Sequence, residues 1–370
     1  MTSRERFAAA VTFGPADRAA FDLCGSPQTQ IDSRDVIGKL NLMFGSAAEK
    51  RGDSKLDDSV LKHFNIDTRL VGGMPSPKTI HNRTENGVHY NNYGIGYAAV
   101  DDHFEICHNP LKGCTIDEMI AYPMPSADDI DRGEIIAWAD RAKNLHRNTD
   151  YAIIAEHPVL GVFEIGCWMF GFDDYLYRLA AEPETVHAFS QRILSYQKRV
   201  IEIYYGALGR HIDCTTSGDD FGMQTGTLMS PKMFDELIKP YMKERINHTR
   251  LFTDAFYKHH TCGSVFPLIP SLIDCGVDIL NPIQPGTYMM EPERLAEAYG
   301  GKIAFWGGVD TQGLLRLASP AEIKEEIGRL LSVFAGGGYV LSPAHCIQKD
   351  VPAENIAAIY EGAREYYATP

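Results

Sequence analysis

Residues 251–283 read LFTDAFYKHHTCGSVFPLIPSLIDCGVDILNPI, and their reading decides the fold. LFTDAFYKHHT is a largely apolar run whose polar residues gather at its end, as in a strand covered on both faces. SVFPLIPSLIDCG reads as a helix, and VDILNPI as the next strand. The same rhythm runs outward on both sides. YAIIAEH and HIDCTTSGDD are strand-like, with GFDDYLYRLAAEPETVHAFSQRILSYQKRVIEIYYGALG helical between them. SPKMFDELIKPYMKERINHT opens a helix, with Ser230 as cap and Pro231 in the first turn. KIAFWGGVD, the helix AEIKEEIGRLLSVFA, the strand GYVLSPAHC and the helix VPAENIAAIYEGAREYYA complete the series.

Strands alternating with helices predict an α/β fold with a parallel sheet, and the number of units favours a (β/α)8 TIM barrel over a doubly wound sheet. Residues 126–370 supply the main body of that barrel. Residues 1–125 read as an N-terminal helix, SRERFAAAVTF with Ser3 as its cap, and an irregular extension or insertion packed on the barrel. MPSPKTIHNRTENGVHYNNYGIGY, rich in Gly, Asn and Pro, is expected to form short strands and loops. The whole reads as one structural domain.

The formal charge of −14 argues against nucleic acid or a membrane surface as a general partner, since both select a basic face. MTSRERFAAAVTFGPADR has no apolar core of signal type, and no apolar run reaches the eighteen or so residues of a membrane span. The eight cysteines are scattered, unlike a secreted disulfide scaffold. A cytoplasmic protein with reduced thiols is the expectation.

Barrel chemistry collects at the C-terminal strand ends. These are AEH, SGDD, KHHTCG, NPIQPG, WGGVD and SPAHC. His260 and Cys262, one residue apart, face the same way on an extended chain, and His259 faces the other. Cys346 ends the last strand, 84 residues beyond Cys262. One histidine and two thiolates make a zinc set with an open fourth position. By itself the H-x-C pair reads equally as a buried cysteine beside a core histidine. Asp219 and Asp220 point opposite ways, so one is expected to face the pocket and the other to bind backbone. Glu164, acidic in an apolar setting, reads as a buried structural group, a displaceable ligand or a proton donor. Gln224 and Tyr288 are candidates for substrate contact or loop packing, and Asp310 for capping the helix after WGGVD.

SRERFAAAVTFGPADR, SGDDFGMQTG with SPKMFDELIKPYMKE, HTCGSV with LIDCGVDILNPIQ, and GGGYVLSPAHCIQKDVPAENIAAIYEGAREY resemble the uroporphyrinogen decarboxylase superfamily. The likeness is patchy over residues 1–26 and good over about 120–370. It implies a (β/α)8 barrel and one of two chemistries. The porphyrinogen decarboxylases grip substrate carboxylates with an arginine-rich loop, but here FDLCGSPQTQI has no arginine between Arg18 and Arg34. The other branch is the zinc-dependent corrinoid methyltransferases, whose H-x-C…C motif is similar to His260, Cys262 and Cys346. That resemblance implies Zn²⁺ and a cobalamin (corrinoid) cofactor, with a small methyl ether, thiol or related compound as methyl donor or acceptor. Asp219, Asp220 and Glu164 would then orient groups or move protons. The chain has no D-x-H-x-x-G corrinoid signature, so the cobalamin is expected on a partner corrinoid protein or free. The alternatives are a metal-independent decarboxylase or lyase of the same fold, and a non-catalytic barrel that binds a small molecule.

Overall fold

The computed structural model describes residues 1–45, 55–78, 84–100 and 103–368. Eight parallel strands wind round a single axis: β1 (Ala20–Phe21), β2 (Thr68–Val71), β3 (Ala152–Glu156), β4 (Cys214–Gly218), β5 (Phe256–His260), β6 (Ile279–Asn281), β7 (Ala304–Trp306) and β8 (Tyr339–Leu341). Neighbours in the chain are neighbours in the sheet from β2 through to β8, and β8 pairs with β1. Helices cover the outside, among them Arg132–Asn148, Pro183–Leu208, Lys239–Thr249, Pro320–Val333 and Ala353–Ala368. This is the expected TIM barrel.

Its first two strands lie within the region expected to be an extension. Strands of two and four residues are too short to show a period, so β1 and β2 escape a pattern search. The rest of that region holds an antiparallel sheet of Thr84–Glu85, Val88–Tyr90, Gly96–Val100 and His103–His108. It leans on the helices that follow β3. Tyr93 meets Tyr196 edge-on at 6.0 Å, and the Asn109 amide donates to the Trp168 carbonyl at 2.8 Å.

The seam between β1 and β2 is closed by one buried carboxylate. The Asp67 amide donates to the Phe21 carbonyl at 2.9 Å, and the Phe21 amide donates back to Asp67 Oδ2 at 2.8 Å. Arg6 Nη1 and Arg18 Nη1 each reach Asp67 at 2.7 Å. Two guanidinium groups and an amide thus offset the desolvation of a fully buried charge. The floor of the barrel is apolar: Phe7 from helix Ser3–Val11 packs beneath Ala20, Ile154, Ile279, Ala304 and Trp306.

Helix ends follow local chemistry. Thr2, one residue before the expected Ser3, caps the first helix in a reciprocal box with Glu5. Ser230 caps Pro231–Leu237 as expected, accepting from the Met233 amide at 3.2 Å. The single helix expected there is two, because Pro240 has no amide to continue the ladder and the second helix starts at Lys239.

Replacing Asp67 by Ala leaves Arg6 without a buried partner, and chemical denaturation should show a loss of about 3–5 kcal/mol. The control Asp17→Ala removes the half-exposed partner of the same arginine and should cost less than about 1 kcal/mol.

Candidate metal centre

The C-terminal end of β5 carries the site, and its strand register sets the geometry. His260 sits level with Gly218 of β4 and Asn281 of β6. Its Nδ1 lies 2.7 Å from Asn281 Oδ1, while Asn281 Nδ2 donates to the Trp306 carbonyl at 3.0 Å. With the amide oriented by Trp306, its oxygen must accept from His260, so Nδ1 carries the proton. The Nε2 lone pair is therefore the free one, and it is aimed at Cys262, whose Sγ lies 3.3 Å away. His345, from the loop after β8, completes a group whose ligand atoms all lie within 4.8 Å of one another. Burial lowers His260 to about 4, so the imidazole is neutral at neutral pH, as a ligand must be.

The expected third ligand, Cys346, lies outside this group. Its thiol donates to the Pro27 carbonyl at 3.2 Å. β8 ends at Leu341, so SPAHC is a turning loop rather than the strand end on which Cys346 was expected. His345 stands in the group beside His260 and Cys262.

The turn after Cys262 depends on glycine. Gly263 has φ +78°, and a Cβ there would come within 2.5 Å of the Gly222 carbonyl carbon. The bare backbone lets the hairpin of Gly222–Met223 and Gly226–Thr227 close over the loop.

Asp219 and Asp220 face opposite ways, as an extended chain requires. Asp220 Oδ1 accepts the Cys262 amide at 2.7 Å and lies 3.9 Å from His260 Nε2. Asp219 is buried and accepts the Glu164 amide at 2.7 Å and the Phe163 amide at 3.2 Å. It therefore caps helix Val162–Phe170 from a neighbouring strand end. Gly161 makes room, since a Cβ there would overlap the Asp219 carboxylate. Burial, and then the charges of Asp219 and Asp220, push Glu164 up to about 9. Burial raises Asp219 too, to about 7, but Arg245 and two amide donors hold it below Glu164, so the shared proton belongs to Glu164. Glu164 is an acid at neutral pH.

The cysteine thiols respond to the same field. Burial, then Asp220, raises Cys262 to about 12. Burial, then Asp32, raises Cys346 to about 11. A neutral imidazole, a thiol and surrounding carboxylates disfavour further negative charge and suit a divalent cation. The donor set thus fits zinc. All eight cysteines are free.

A pocket of about 300 Å³ opens above the group, lined by Gln224, Cys262, Gln284, Asp310 and His345. Gln224 thus borders the site. Tyr288 is 61% exposed, and its amide and carbonyl tie it to Gln224 and Ser264 instead. Asp310 accepts the amides of Gln312, Gly313 and Leu314, a helix-capping role.

Three further residues escape the sequence reading. Asn281 is an ordinary strand-end amide in NPI, and only its register reveals its task. Lys258 alternates with His260 and is fully buried; its ammonium contacts Ser26 Oγ at 3.0 Å and Gln28 Oε1 at 3.2 Å, above the Trp306 ring. Burial lowers it to about 8. Gln28, which also accepts from Thr216, comes from the first strand's loop, a segment without recognisable pattern.

The family model for uroporphyrinogen decarboxylase (URO-D) matches residues 147–366. A methyltransferase from Methanosarcina mazei superposes with a TM-score of 0.68 at 16% identity, covering 99% of both chains. A glycoside hydrolase family 5 enzyme from Prevotella bryantii reaches only 0.40 at 10% identity, covering 99% of this chain and 98% of its own, too distant to carry an argument. The first similarity shows a shared fold. No curated protein sequence matches. Among the described residues no helix is long and apolar enough to cross a membrane.

Two measurements follow from the geometry. Asn281→Leu removes the acceptor that fixes His260, and zinc affinity measured against a competing chelator should fall about 10–100-fold. Cys262 is protonated below about 12 and must lose that proton on binding metal, so zinc affinity should rise with pH across the neutral range. Affinity that is flat between mildly acidic and mildly alkaline buffer would exclude the thiol as ligand.

Proposed function

The chain belongs to the uroporphyrinogen decarboxylase family, and from that membership and the barrel mouth we propose a zinc-dependent methyltransferase. It moves a methyl group between a small substrate, such as a methyl ether or thiol, and a corrinoid carried by a partner protein or free. The convergence of His260, Cys262 and His345 within 4.8 Å carries the reading.

Zinc bound there supplies Lewis acidity toward the substrate heteroatom, and the corrinoid is the carrier of the methyl group. His260, Cys262 and His345 hold the ion. Asn281 fixes the His260 tautomer, and Asp220 fixes the Cys262 backbone through its amide. His345 is the exposed member and stands at the pocket side, where incoming substrate passes. Glu164 holds a proton at neutral pH near Asp220 and Cys262, in position to pass it to a heteroatom that loses its methyl group. Asp219 keeps the helix bearing Glu164 in place. Gln224 lines the pocket and offers an amide to the substrate. FDLCGSPQTQI, without arginine, supports this chemistry over porphyrinogen decarboxylation.

Metal analysis and a methyl-transfer assay test the reading together. Protein purified with its thiols protected should carry stoichiometric zinc. Cys262→Ala and His345→Ala should lose most of it, while Cys346→Ser should retain it. With methylcobalamin or cob(I)alamin and a panel of methyl ethers and thiols, the cobalamin absorbance should change only with zinc-loaded protein. Zinc-free wild-type protein would sink the proposal.

A further inference from the structure

Gln284 comes from the loop after β6, in NPIQPG, and belongs to both the metal loop and the pocket. Its Oε1 accepts the amide of Gly263, the residue after Cys262, at 2.7 Å. It also lines the pocket of about 300 Å³ above the metal group. With Oε1 committed to Gly263 the side-chain amide is oriented, and its two Nε2 hydrogens are what it offers a ligand. The loop that carries it is tied down. The Gln284 carbonyl accepts the Thr287 hydroxyl at 2.8 Å, and the Tyr288 amide donates to the Gln224 carbonyl at 2.9 Å.

The rest of the pocket wall is polar and neutral or acidic. Gln224, Thr311 and Gln312 supply amides and a hydroxyl, and among the described residues that line the pocket none is lysine or arginine. Asp310 brings a formal charge. Its oxygens accept the amides of Gln312, Gly313 and Leu314 at 2.8, 2.9 and 3.0 Å, so the negative charge stays at the wall. Lys258, the cation buried inside the barrel, spends its ammonium on Ser26, Gln28 and the Trp306 ring. A zinc ion brings two positive charges, which the Cys262 thiolate and Asp220, 3.9 Å from His260 Nε2, offset. A neutral, oriented donor beside a carboxylate suits an uncharged oxygen acceptor. A carboxylate, sulfonate or phosphate would exchange its water for neutral donors alone and meet the charge of Asp310.

We infer that Gln284 determines specificity at this mouth: it donates to an ether or carbonyl oxygen of an uncharged substrate, and the pocket refuses anionic ones. The inference rests on the methyltransferase reading for the fate of the bound molecule, and it narrows the methyl ethers and thiols of that reading to those without a negative charge. Its own content is a binding preference, which can be measured without turnover.

Two probes of nearly the same shape test it. 2-Methoxyacetophenone and 2-methoxybenzoate both carry a methoxy group and a carbonyl acceptor, and they differ in charge. Titrated into the purified full chain at neutral pH, the ketone should bind about tenfold or more tightly than the benzoate. Gln284→Glu keeps an oxygen for the Gly263 amide and removes the donor, so affinity for the ketone should fall about 3–10-fold while zinc content and Tm hold. Gln224→Lys alters a side chain that makes no hydrogen bond among the described residues; by placing a cation on the wall it should shift the preference toward the benzoate. Wild-type protein that binds both probes alike, prefers the benzoate or binds neither overturns the inference, as does a ketone affinity indifferent to Gln284→Glu. A chain that selects the ketone yet moves no methyl group would sink the proposed activity and leave this inference standing. An active enzyme that binds both probes alike would do the reverse.

Discussion

The parallel register of β5 between β4 and β6 is the constraint on which the site depends. It sets His260 level with Gly218 and Asn281. From that alignment come the imidazole tautomer, the exit of Asp219 and Asp220 just beyond Gly218, and the turn that brings Cys262 back to His260. A slip of one residue would send His260 into the helix layer and His259 into the mouth. The ladder is firm beyond the strand itself: the Asp219 amide donates to the His260 carbonyl at 3.0 Å, and the Thr261 amide to the Asn281 carbonyl at 2.8 Å.

The electrostatics of the mouth follow from what the backbone needs. Asp219 and Asp220 are held by amides, one at a helix start and the other at the Cys262 turn. Their charges then act on Glu164 and Cys262, which both retain protons. Two carboxylates with structural anchors thereby leave a third with an acid's proton and a thiol with every reason to accept a cation. Lys258 stands beneath, held by neutral partners and the Trp306 ring as well as by the nearby charge of Asp22.

Much of the barrel was legible because its later strands are apolar runs with polar ends. The opposed faces of Asp219 and Asp220, and of His259 and His260, were legible because alternation is a property of extended chain. That logic stops where the strand stops. His345 and Cys346 lie four and five residues beyond β8, in a loop where alternation gives no guide; the family resemblance pointed to Cys346, and only the folded loop brings His345 beside His260 and Cys262. β1 and β2 were hidden by their length. Asn281 and Gln28 were hidden because neither residue type announces a role; their work is defined by neighbours distant in sequence.

The closure at Asp67 bears on how this chain reaches its native state. Among the described residues β1 pairs with β8, more than 300 residues away, and with the residue that precedes β2. During synthesis the first strand therefore waits until more than 300 further residues have emerged before its ladder can form. Contacts of such sequence separation make for slow, late annealing and leave an open sheet edge in the interim. The Arg6–Asp67–Arg18 cluster acts early by comparison, because all its members are made within the first fifth of the chain. It can hold the N-terminal strand beside β2 as a ready template, so that the last strand to arrive finds its place already marked.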